Sequence, residues 1–312
     1  MQTKSKLFRT IATLGLSLLL RHNSLILSNA DALSTENQTT KVPEQQIDSQ
    51  YQKKIESGSK FPNGLEFNKS AEINPREYLP KRLIILDPGH GGIDTGATIE
   101  GISEDEVAYD ITVRVRQLLL QEGYSVHQTV YDRKTKFTPL EKLVSNREEF
   151  LVDGRGVKTK LTRRFLGKRC QIINNFYDQQ DEPILVSIHV NSLYFFVQGA
   201  CIYYPSEKTY GSEETEKRSK KLAEAVKTSL KEHNIPTYSI DFLGFELDFL
   251  PDTKNFDNFR LAIFKTRLED KILVECGNLQ NGNDQRRLLD PREREKMAVA
   301  IYKGISSYVQ QQ

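Results

Sequence analysis

The fold is decided by residues 83–92, which read Leu83-Ile84-Ile85-Leu86-Asp87-Pro88-Gly89-His90-Gly91-Gly92. The first four residues form a short continuous apolar run, which is typical of a strand buried on both faces. A Pro-Gly turn ends the run, and His90 follows it directly. Four glycines between residues 89 and 96 indicate a backbone that lies close to another group. We therefore predict a buried strand that presents a histidine at its carboxyl end.

Strand and helix patterns alternate from this stretch through the rest of residues 80–312. Continuous or alternating apolar residues predict strands, and apolar residues at helical spacing predict helices. The predicted strands are 83–86, 124–130, 184–188, 200–204, 261–264 and 272–274. The predicted helices are 103–122, 162–177, 213–232 and a last one that Asp290 caps and Pro291 begins. This order predicts an α/β fold, with an open twisted sheet, mostly parallel or mixed, flanked by helices on both faces in a single domain.

The first thirty residues differ from the rest of the chain. Three basic residues precede an apolar stretch over residues 11–20, and small polar residues then lead to Ala30. This order is typical of a secretory signal peptide, and ten apolar residues are too few for a bilayer span, which needs about 20. We expect residues 1–30 to be a signal peptide rather than a core helix or an anchor, which gives a periplasmic or secreted protein. Residues 31–79 are polar and aperiodic, which predicts a largely disordered linker.

Composition excludes several classes of protein. Of the 312 residues, 38% are hydrophobic and 28% are charged, which fits neither a multispanning membrane protein nor a wholly disordered chain. The part that follows residue 30 carries 40 basic and 42 acidic residues, so nothing in its charge favours a nucleic acid as a partner. The three cysteines are too few for a disulfide framework, and their spacing fits no CxxC metal site.

Three polar side chains follow predicted buried strands. His90 follows strand 83–86, His189 ends strand 184–188, and Glu275 ends strand 272–274. Ligands of open α/β sheets bind beyond the carboxyl ends of the strands, so these three side chains are candidates for a metal or catalytic site. Each one alone could equally be a buried structural residue, and we assign no role to His127 or His233 for that reason. The glycine-rich turn lacks the GxxxxGK[ST] pattern of a phosphate loop.

Four motifs together resemble the zinc-dependent N-acetylmuramoyl-L-alanine amidases of the Amidase_3 family. They are residues 86–97, Ser103-Glu104, residues 187–191, and residues 274–277 with Asn281, in the order that this family shows. The resemblance covers about residues 82–310. It implies that residues 80–312 form a catalytic domain that hydrolyses the amide bond between N-acetylmuramic acid and L-alanine in peptidoglycan.

The resemblance also implies a site. His90, Glu104 and His189 would hold Zn²⁺, and Glu275 would be the catalytic carboxylate. Three protein ligands leave one position of zinc for water. The start of the predicted helix favours Glu104 over Glu106, because Glu106 is placed to bond back to the Ser103 amide in a capping box. The implied partners are a peptidoglycan or muropeptide substrate and an activator protein, and we expect a monomer with no stable membrane span.

Two segments depart from the family pattern. Residues 131–169 are longer than usual and carry twelve basic residues against five acidic ones, which we interpret as a solvated surface rather than a binding site for carboxylates. Residues 240–258 mix phenylalanine with acidic residues, and we expect a substrate-binding lip there instead of an inhibitory helix. A phenylalanine that is usual in the family is replaced by Asn278.

Three alternatives remain open from the sequence. The protein could be a zinc peptidase that cuts within the stem peptide, or a cell-wall-binding protein without catalysis. The third is a cysteine hydrolase that uses Cys276, which strand alternation places on the face opposite Glu275.

Overall fold

A computed structural model describes residues 81–144, 148–153, 158–160, 165–177, 182–208, 210–238 and 261–312. The predictions for the signal peptide, for the linker 31–79 and for the lip at 240–258 fall outside these residues.

The described residues form strands and helices in alternation. The strands are β1 (Lys81–Pro88), β2 (Thr98–Ile99), β3 (Ile102–Ser103), β4 (Tyr124–Gln128), β5 (Val130–Asp132), β6 (Glu149–Val152), β7 (Lys158–Lys160), β8 (Ile184–Asn191), β9 (Cys201–Tyr203) and β10 (Asp270–Asn278). The helices are α1 (Glu104–Gln121), α2 (Phe165–Tyr177), α3 (Glu213–Glu232), α4 (Gly282–Leu289) and α5 (Pro291–Gln310), with a 3-10 helix at Ala262–Lys265.

A five-stranded sheet in the order β4-β1-β8-β10-β9 is the largest sheet of the described residues. The first four strands are parallel, and β9 is antiparallel to β10 at the edge. There are two smaller sheets among the described residues. One pairs β2 with β3, and the other contains three strands in the order β5-β6-β7. The predicted α/β class and mostly parallel sheet are therefore confirmed.

The sheet is covered on both faces. Alternate residues of the central strands, such as Ile84, Val186 and Val274, join the larger apolar core with helices α1, α3 and α5. The intervening residues, such as Ile85 and Leu185, join a smaller core with α2 and the 3-10 helix. Side chains on opposite faces of one strand therefore enter two separate layers. Among the described residues, no helix is long and apolar enough to cross a membrane.

The helix starts agree only partly with their predictions. Asp290 caps α5 by accepting a bond from the Arg292 amide, and Pro291 occupies the first turn, as predicted. The capping box at Ser103 is wrong, because the Ser103 side chain makes no capping bond and its hydroxyl lies 3.2 Å from the Thr98 hydroxyl instead. The short β2–β3 hairpin brings those two residues opposite each other and competes for the serine.

Two other predicted elements differ. Residues 261–264 form part of a 3-10 turn rather than a strand, which buries Ile263 and Phe264 in the smaller core. A short apolar run cannot by itself distinguish a strand from a buried helical turn. The predicted strand 124–130 is divided, because the chain leaves the central sheet after Gln128 and enters the small sheet at Val130. Helix α4 was not predicted.

Candidate metal centre

Three of the predicted site residues meet at the carboxyl edge of the sheet. His90, Glu104 and His189 each offer one donor atom, and these atoms all lie within 4.8 Å of one another. Nε2 of His90 lies 3.3 Å from one Glu104 oxygen, and Nδ1 of His189 lies 2.9 Å from the other. We call these three residues the His-Glu-His cluster. It is the only such group among the residues that the structure describes.

Strand register brings Glu275 beside this cluster. Glu275 of β10 is paired in parallel register with His189 of β8. Neighbouring strands lie about 4.8 Å apart, and paired residues point to the same face. Both residues alternate with members of the larger core, so both side chains face the α2 side of the sheet. The structure therefore places all four predicted residues at one edge of the sheet.

Glu104 reaches the cluster because it is the first residue of α1. Its Oε1 also accepts a bond from the Val190 amide, and its Oε2 accepts one from the Ala97 amide, each at 3.2 Å. A carboxylate at a helix N-terminus is favoured by the helix dipole. The carboxylate is thus fixed by two backbone amides of different segments before any cation is considered.

Two glycines, Gly89 and Gly96, lie so close to the cluster that a side chain at either position would clash with it. A Cβ at Gly89 would lie 2.4 Å from Cε1 and Nδ1 of the His189 ring. A Cβ at Gly96 would lie 2.5 Å from Glu104 Oε2, and Gly96 also has a φ of +64°. The close approach that the glycine-rich sequence predicted is therefore an approach to the cluster's own side chains.

The turn that carries His90 has a strained backbone, which hydrogen bonds from Arg169 stabilise. His90 has a φ of +58°, which side chains with a Cβ adopt reluctantly. Arg169 of α2, only 2% exposed, donates to the carbonyls of Pro88 and His90 at 2.7 Å each. The same guanidinium lies 3.2 Å from Oδ1 of the buried Asp87. This buried ion pair fixes the backbone that sets the direction of the His90 ring.

Asp94 lies beside the second ring nitrogen of His90. Its Oδ2 is 3.1 Å from His90 Nδ1, while Nε2 faces the cluster. Its Oδ1 accepts a bond from the Gly96 amide at 3.2 Å. A carboxylate behind a histidine is the usual way to fix the ring orientation and tautomer of a metal ligand. Asp94 is therefore suited to orient His90.

Burial and neighbouring charges shift the pKa values of three site residues, in opposite directions for His90 and Glu104 and in the same direction for Glu275. Burial alone would lower the pKa of His90, but Glu104 and Asp94 outweigh it and raise that pKa well above its usual value. Burial would raise the pKa of Glu104, but the two histidines hold it well below its usual range. For Glu275, burial raises the pKa well above the usual value, and the charge of Glu104 adds to this shift. These shifts favour the charged forms of His90 and Glu104 beside an uncharged form of Glu275.

The donor set fits a zinc ion. Two imidazole nitrogens and one carboxylate oxygen are the ligands that catalytic zinc sites in hydrolases use. The donors converge from three separate segments, and Oε2 of Glu275 is buried without a hydrogen-bond partner close by the cluster. A cation bound at the cluster would favour the charged form of this carboxylate against its burial.

The remaining histidines and cysteines lie elsewhere. His127 is in β4, and its Nε2 lies 3.0 Å from the Val152 carbonyl, while burial lowers its pKa to about 4. His233 caps the end of α3. Cys276 is buried in the larger core on the face opposite Glu275, and burial raises the pKa of its thiol well above the usual value. Cys170, Cys201 and Cys276 form no disulfide bond with one another. A cysteine hydrolase is therefore disfavoured.

Sequence reasoning missed two residues around the site. Arg169 belongs to the basic segment 131–169 that we interpreted as a solvated surface, and for Arg169 that interpretation is wrong. Nothing in the pattern distinguishes it from its exposed neighbours, because its partners are backbone carbonyls of β1's end. Asp94 could have been found, since it stands four residues after His90 in a turn-rich stretch.

The known proteins with similar sequences include several that are described as cell-wall or N-acetylmuramoyl-L-alanine amidases. An uncharacterized cell wall amidase of Bacillus anthracis is 29% identical over 231 residues, which cover 74% of this chain and 36% of the relative. The chain thus spans little more than a third of that protein's length. The germination-specific N-acetylmuramoyl-L-alanine amidase of Bacillus subtilis (strain 168) is 24% identical over 238 residues, which cover 74% of this chain and 81% of the relative.

Solved structures share the fold. Ami1, the N-acetylmuramyl-L-alanine amidase of Mycobacterium smegmatis, aligns with a TM-score of 0.53 and 21% identity over 75% of this chain and 99% of its own. The CwlD amidase of Clostridioides difficile, solved in complex with the GerS lipoprotein, aligns with a TM-score of 0.50 and 24% identity over 74% and 100%. Residues 84–307, most of this chain, match the Amidase_3 family, described as N-acetylmuramoyl-L-alanine amidase. The chain therefore belongs to the Amidase_3 family of N-acetylmuramoyl-L-alanine amidases.

Proposed function

We propose that this protein is a zinc-dependent hydrolase that cleaves the amide bond between N-acetylmuramic acid and L-alanine in peptidoglycan. The observation that carries the proposal is the convergence of His90, Glu104 and His189, with Glu275 paired beside His189, in a chain of this family. Three donors and a neighbouring carboxylate are the minimum that metal-assisted amide hydrolysis needs.

His90, Glu104 and His189 would hold the ion through Nε2, a carboxylate oxygen and Nδ1 respectively. When bound, zinc supplies a Lewis acid that polarises the scissile carbonyl and makes water acidic enough to attack at neutral pH. The arrangement around the donors serves this chemistry, because two backbone amides hold the Glu104 carboxylate and the Asp94 carboxylate lies 3.1 Å from the second ring nitrogen of His90.

Glu275 moves the proton. Its charged form would be favoured by a bound cation, and its Oε2, which has no hydrogen-bond partner in the described structure, would accept a proton from the attacking water. The same atom then delivers that proton to the amine nitrogen of the departing L-alanine, which leaves as a neutral amine. Burial around Glu275 excludes bulk water from this transfer.

The proposal includes the cellular setting. Residues 1–30 direct export to the periplasm or to the outside of the cell, residues 31–79 form a linker, and residues 80–312 act on the wall as a monomer. The CwlD amidase of similar fold was solved in complex with the GerS lipoprotein, and we extend this to a partner protein that activates this chain.

Digestion of purified muropeptides, followed by mass analysis, tests the reaction. Release of intact stem peptides supports the amidase, whereas shortened stems that stay on the sugar would indicate a peptidase instead. A protein that binds wall fragments and releases nothing would be a binding protein.

A substitution tests the role of Glu275. Glu275→Gln should lower the turnover by at least about a hundredfold, the scale of a general base, and should leave zinc bound at one ion per chain. Glu224→Gln on the exposed face of α3 is the matched control and should retain wild-type turnover. Wild-type turnover in Glu275→Gln would remove Glu275 from the reaction.

A further inference from the structure

Three consecutive aromatic residues stand at the surface beyond the end of β8. Phe195 is 74% exposed and Phe196 is 41% exposed. The rings of Tyr194 and Phe196 are stacked, with centroids 5.2 Å apart and planes within 5°. The Phe195 ring meets the Phe196 ring edge-on at 5.5 Å. We call Tyr194, Phe195 and Phe196 the aromatic platform.

The backbone of this platform is fixed, although its phenylalanine rings are exposed. Asn278, fully buried, accepts a bond from the Leu193 amide at 2.8 Å and donates to the Tyr194 carbonyl at 2.9 Å and the Val197 carbonyl at 2.7 Å. Asn281 donates to the Phe195 carbonyl at 2.7 Å. Buried amide side chains that hold an exposed turn so completely make it rigid. Little conformational entropy is then lost when a ligand binds there.

The platform is tied to both strands of the candidate site. Its segment follows His189 along β8, and its anchor Asn278 ends β10, three residues after Glu275. Asn278 is also the register partner of Asn191. Phe195 is six residues from His189, so their Cα atoms are at most about 20 Å apart. The platform therefore lies within the length of a short oligosaccharide from the His-Glu-His cluster.

The chemistry of the segment favours a neutral, partly apolar ligand. No charged residue occurs from Asn191 to Ser206. A pyranose ring presents a face of C–H groups and a rim of hydroxyls, so it can stack on an aromatic ring while its hydroxyls stay in water. The Asp284 carboxylate, which accepts a bond from the Gly199 amide of this segment, is itself paired with Arg287. Exposed apolar patches of this kind mark ligand or partner surfaces.

We propose that the aromatic platform is a saccharide-binding subsite that holds the glycan strand of the substrate. This inference rests on the proposed function, since the bond that is cut hangs directly from a sugar ring. A glycan on the platform fixes the sugar that carries the stem and so brings the amide to the cluster. Asn278 holds this turn with both its acceptor oxygen and its donor nitrogen, which an apolar side chain at this position could not do.

The absence of tryptophan from the chain provides a direct binding assay. In F195W, a single tryptophan reports on the platform, and addition of the N-acetylglucosamine tetramer should shift or quench its emission with saturation. The matched control Y177W places tryptophan at another exposed aromatic position, at the end of α2, and should not respond. This assay needs no hydrolysis, so its result stands whether or not the amidase proposal holds.

Kinetics test whether the subsite serves the reaction. F195A should raise KM for glycan strands about tenfold, the loss expected for one anchor residue, with kcat unchanged. On a substrate with a single sugar, KM should stay within twofold. L289A, which truncates another exposed apolar residue, should behave as wild type on both substrates. Unchanged melting temperatures would show that F195A is folded.

Several outcomes would overturn the proposal. The first is that the emission of F195W does not change when the tetramer is added. The second is that F195A raises KM equally on both substrates. The third is that the emission of F195W changes with protein concentration alone. The last result would make the platform a contact between copies of the chain. If F195W binds the tetramer but no variant hydrolyses muropeptides, the subsite stands and the amidase proposal fails.

Discussion

Gly89→Ala should disable the candidate metal centre with little damage elsewhere. The added methyl would lie 2.4 Å from Cε1 and Nδ1 of His189, which is 1.0 Å short of the 3.4 Å at which ordinary contacts begin. Gly89 is flanked by β1 and bonded through its amide to the Ile188 carbonyl at 2.7 Å, so the imidazole rather than the backbone has to move. The donor nitrogen of His189 is therefore displaced by about 1 Å, twice the tolerance of a functional site.

The magnitude follows from that displacement. A misplacement of about 1 Å costs on the order of a hundredfold in rate, and a disturbed ligand costs about 10- to 100-fold in metal affinity. Overpacking destabilises a fold by about 1–3 kcal/mol. For a domain of this size we expect the melting temperature to fall by roughly 2–4 °C for each kcal/mol, measured with excess chelator so that bound metal does not contribute.

The assay is competition for zinc against a chromophoric chelator, with muropeptide turnover measured in parallel. Gly167→Ala on α2 is the matched control, because no atom lies within 4 Å of the methyl that it adds. That variant should bind zinc and turn over as wild type does. Zinc affinity of Gly89→Ala within twofold of wild type, with normal turnover, would refute the assignment of His189 as a ligand in this geometry.

Three further predictions address the surroundings of the site. Arg169→Lys should fold but bind zinc about tenfold more weakly, because one ammonium cannot satisfy both carbonyls that the guanidinium holds; equal affinity in a chelator titration would contradict this. Burial lowers the pKa of His127 to about 4. The neutral imidazole therefore contributes fully to the free energy of unfolding above pH 6.5, and this contribution is lost as the pH falls toward 4. Urea unfolding at pH 7.5 and 5.5 should therefore show wild type losing about 1 kcal/mol more than His127→Gln, and a parallel loss would disprove it. Gly304→Ala should destabilise the α3–α5 contact by about 1–3 kcal/mol, because its methyl would lie 2.5 Å from the Val226 Cα; a thermal scan should show this loss at unchanged zinc affinity.

Much of the fold was predictable because the central strands are buried on both faces. Such strands are continuous apolar runs, so β1, β8 and β10 could be found from their composition alone, and the polar residue that ends each run marks the site. The three candidate metal donors and Glu275, which the structure brings together, could be named because these motifs also carry the family resemblance. Helix α3 was predicted with the bounds that it has.

Two of the errors, at Ser103 and Arg169, share a physical cause, which is competition from residues outside the local pattern. The Ser103 hydroxyl was expected to cap α1 but contacts Thr98, across a hairpin that local periodicity does not reveal. Arg169 was expected to be solvated, but the carbonyls of Pro88 and His90 provide it with a buried partner 79 to 81 residues away. Local pattern gives no information about such contacts.

The strand order β4-β1-β8-β10-β9 has a consequence for the newly made chain. All three donors precede residue 190, and β1 and β8 are direct neighbours, whereas Glu275 arrives 86 residues after His189 on a strand that joins the outside of β8. A polypeptide that is still being synthesised can thus bring the three candidate metal donors together before it possesses Glu275. Under the proposed function, the order of synthesis keeps the hydrolase inactive until Glu275 has emerged.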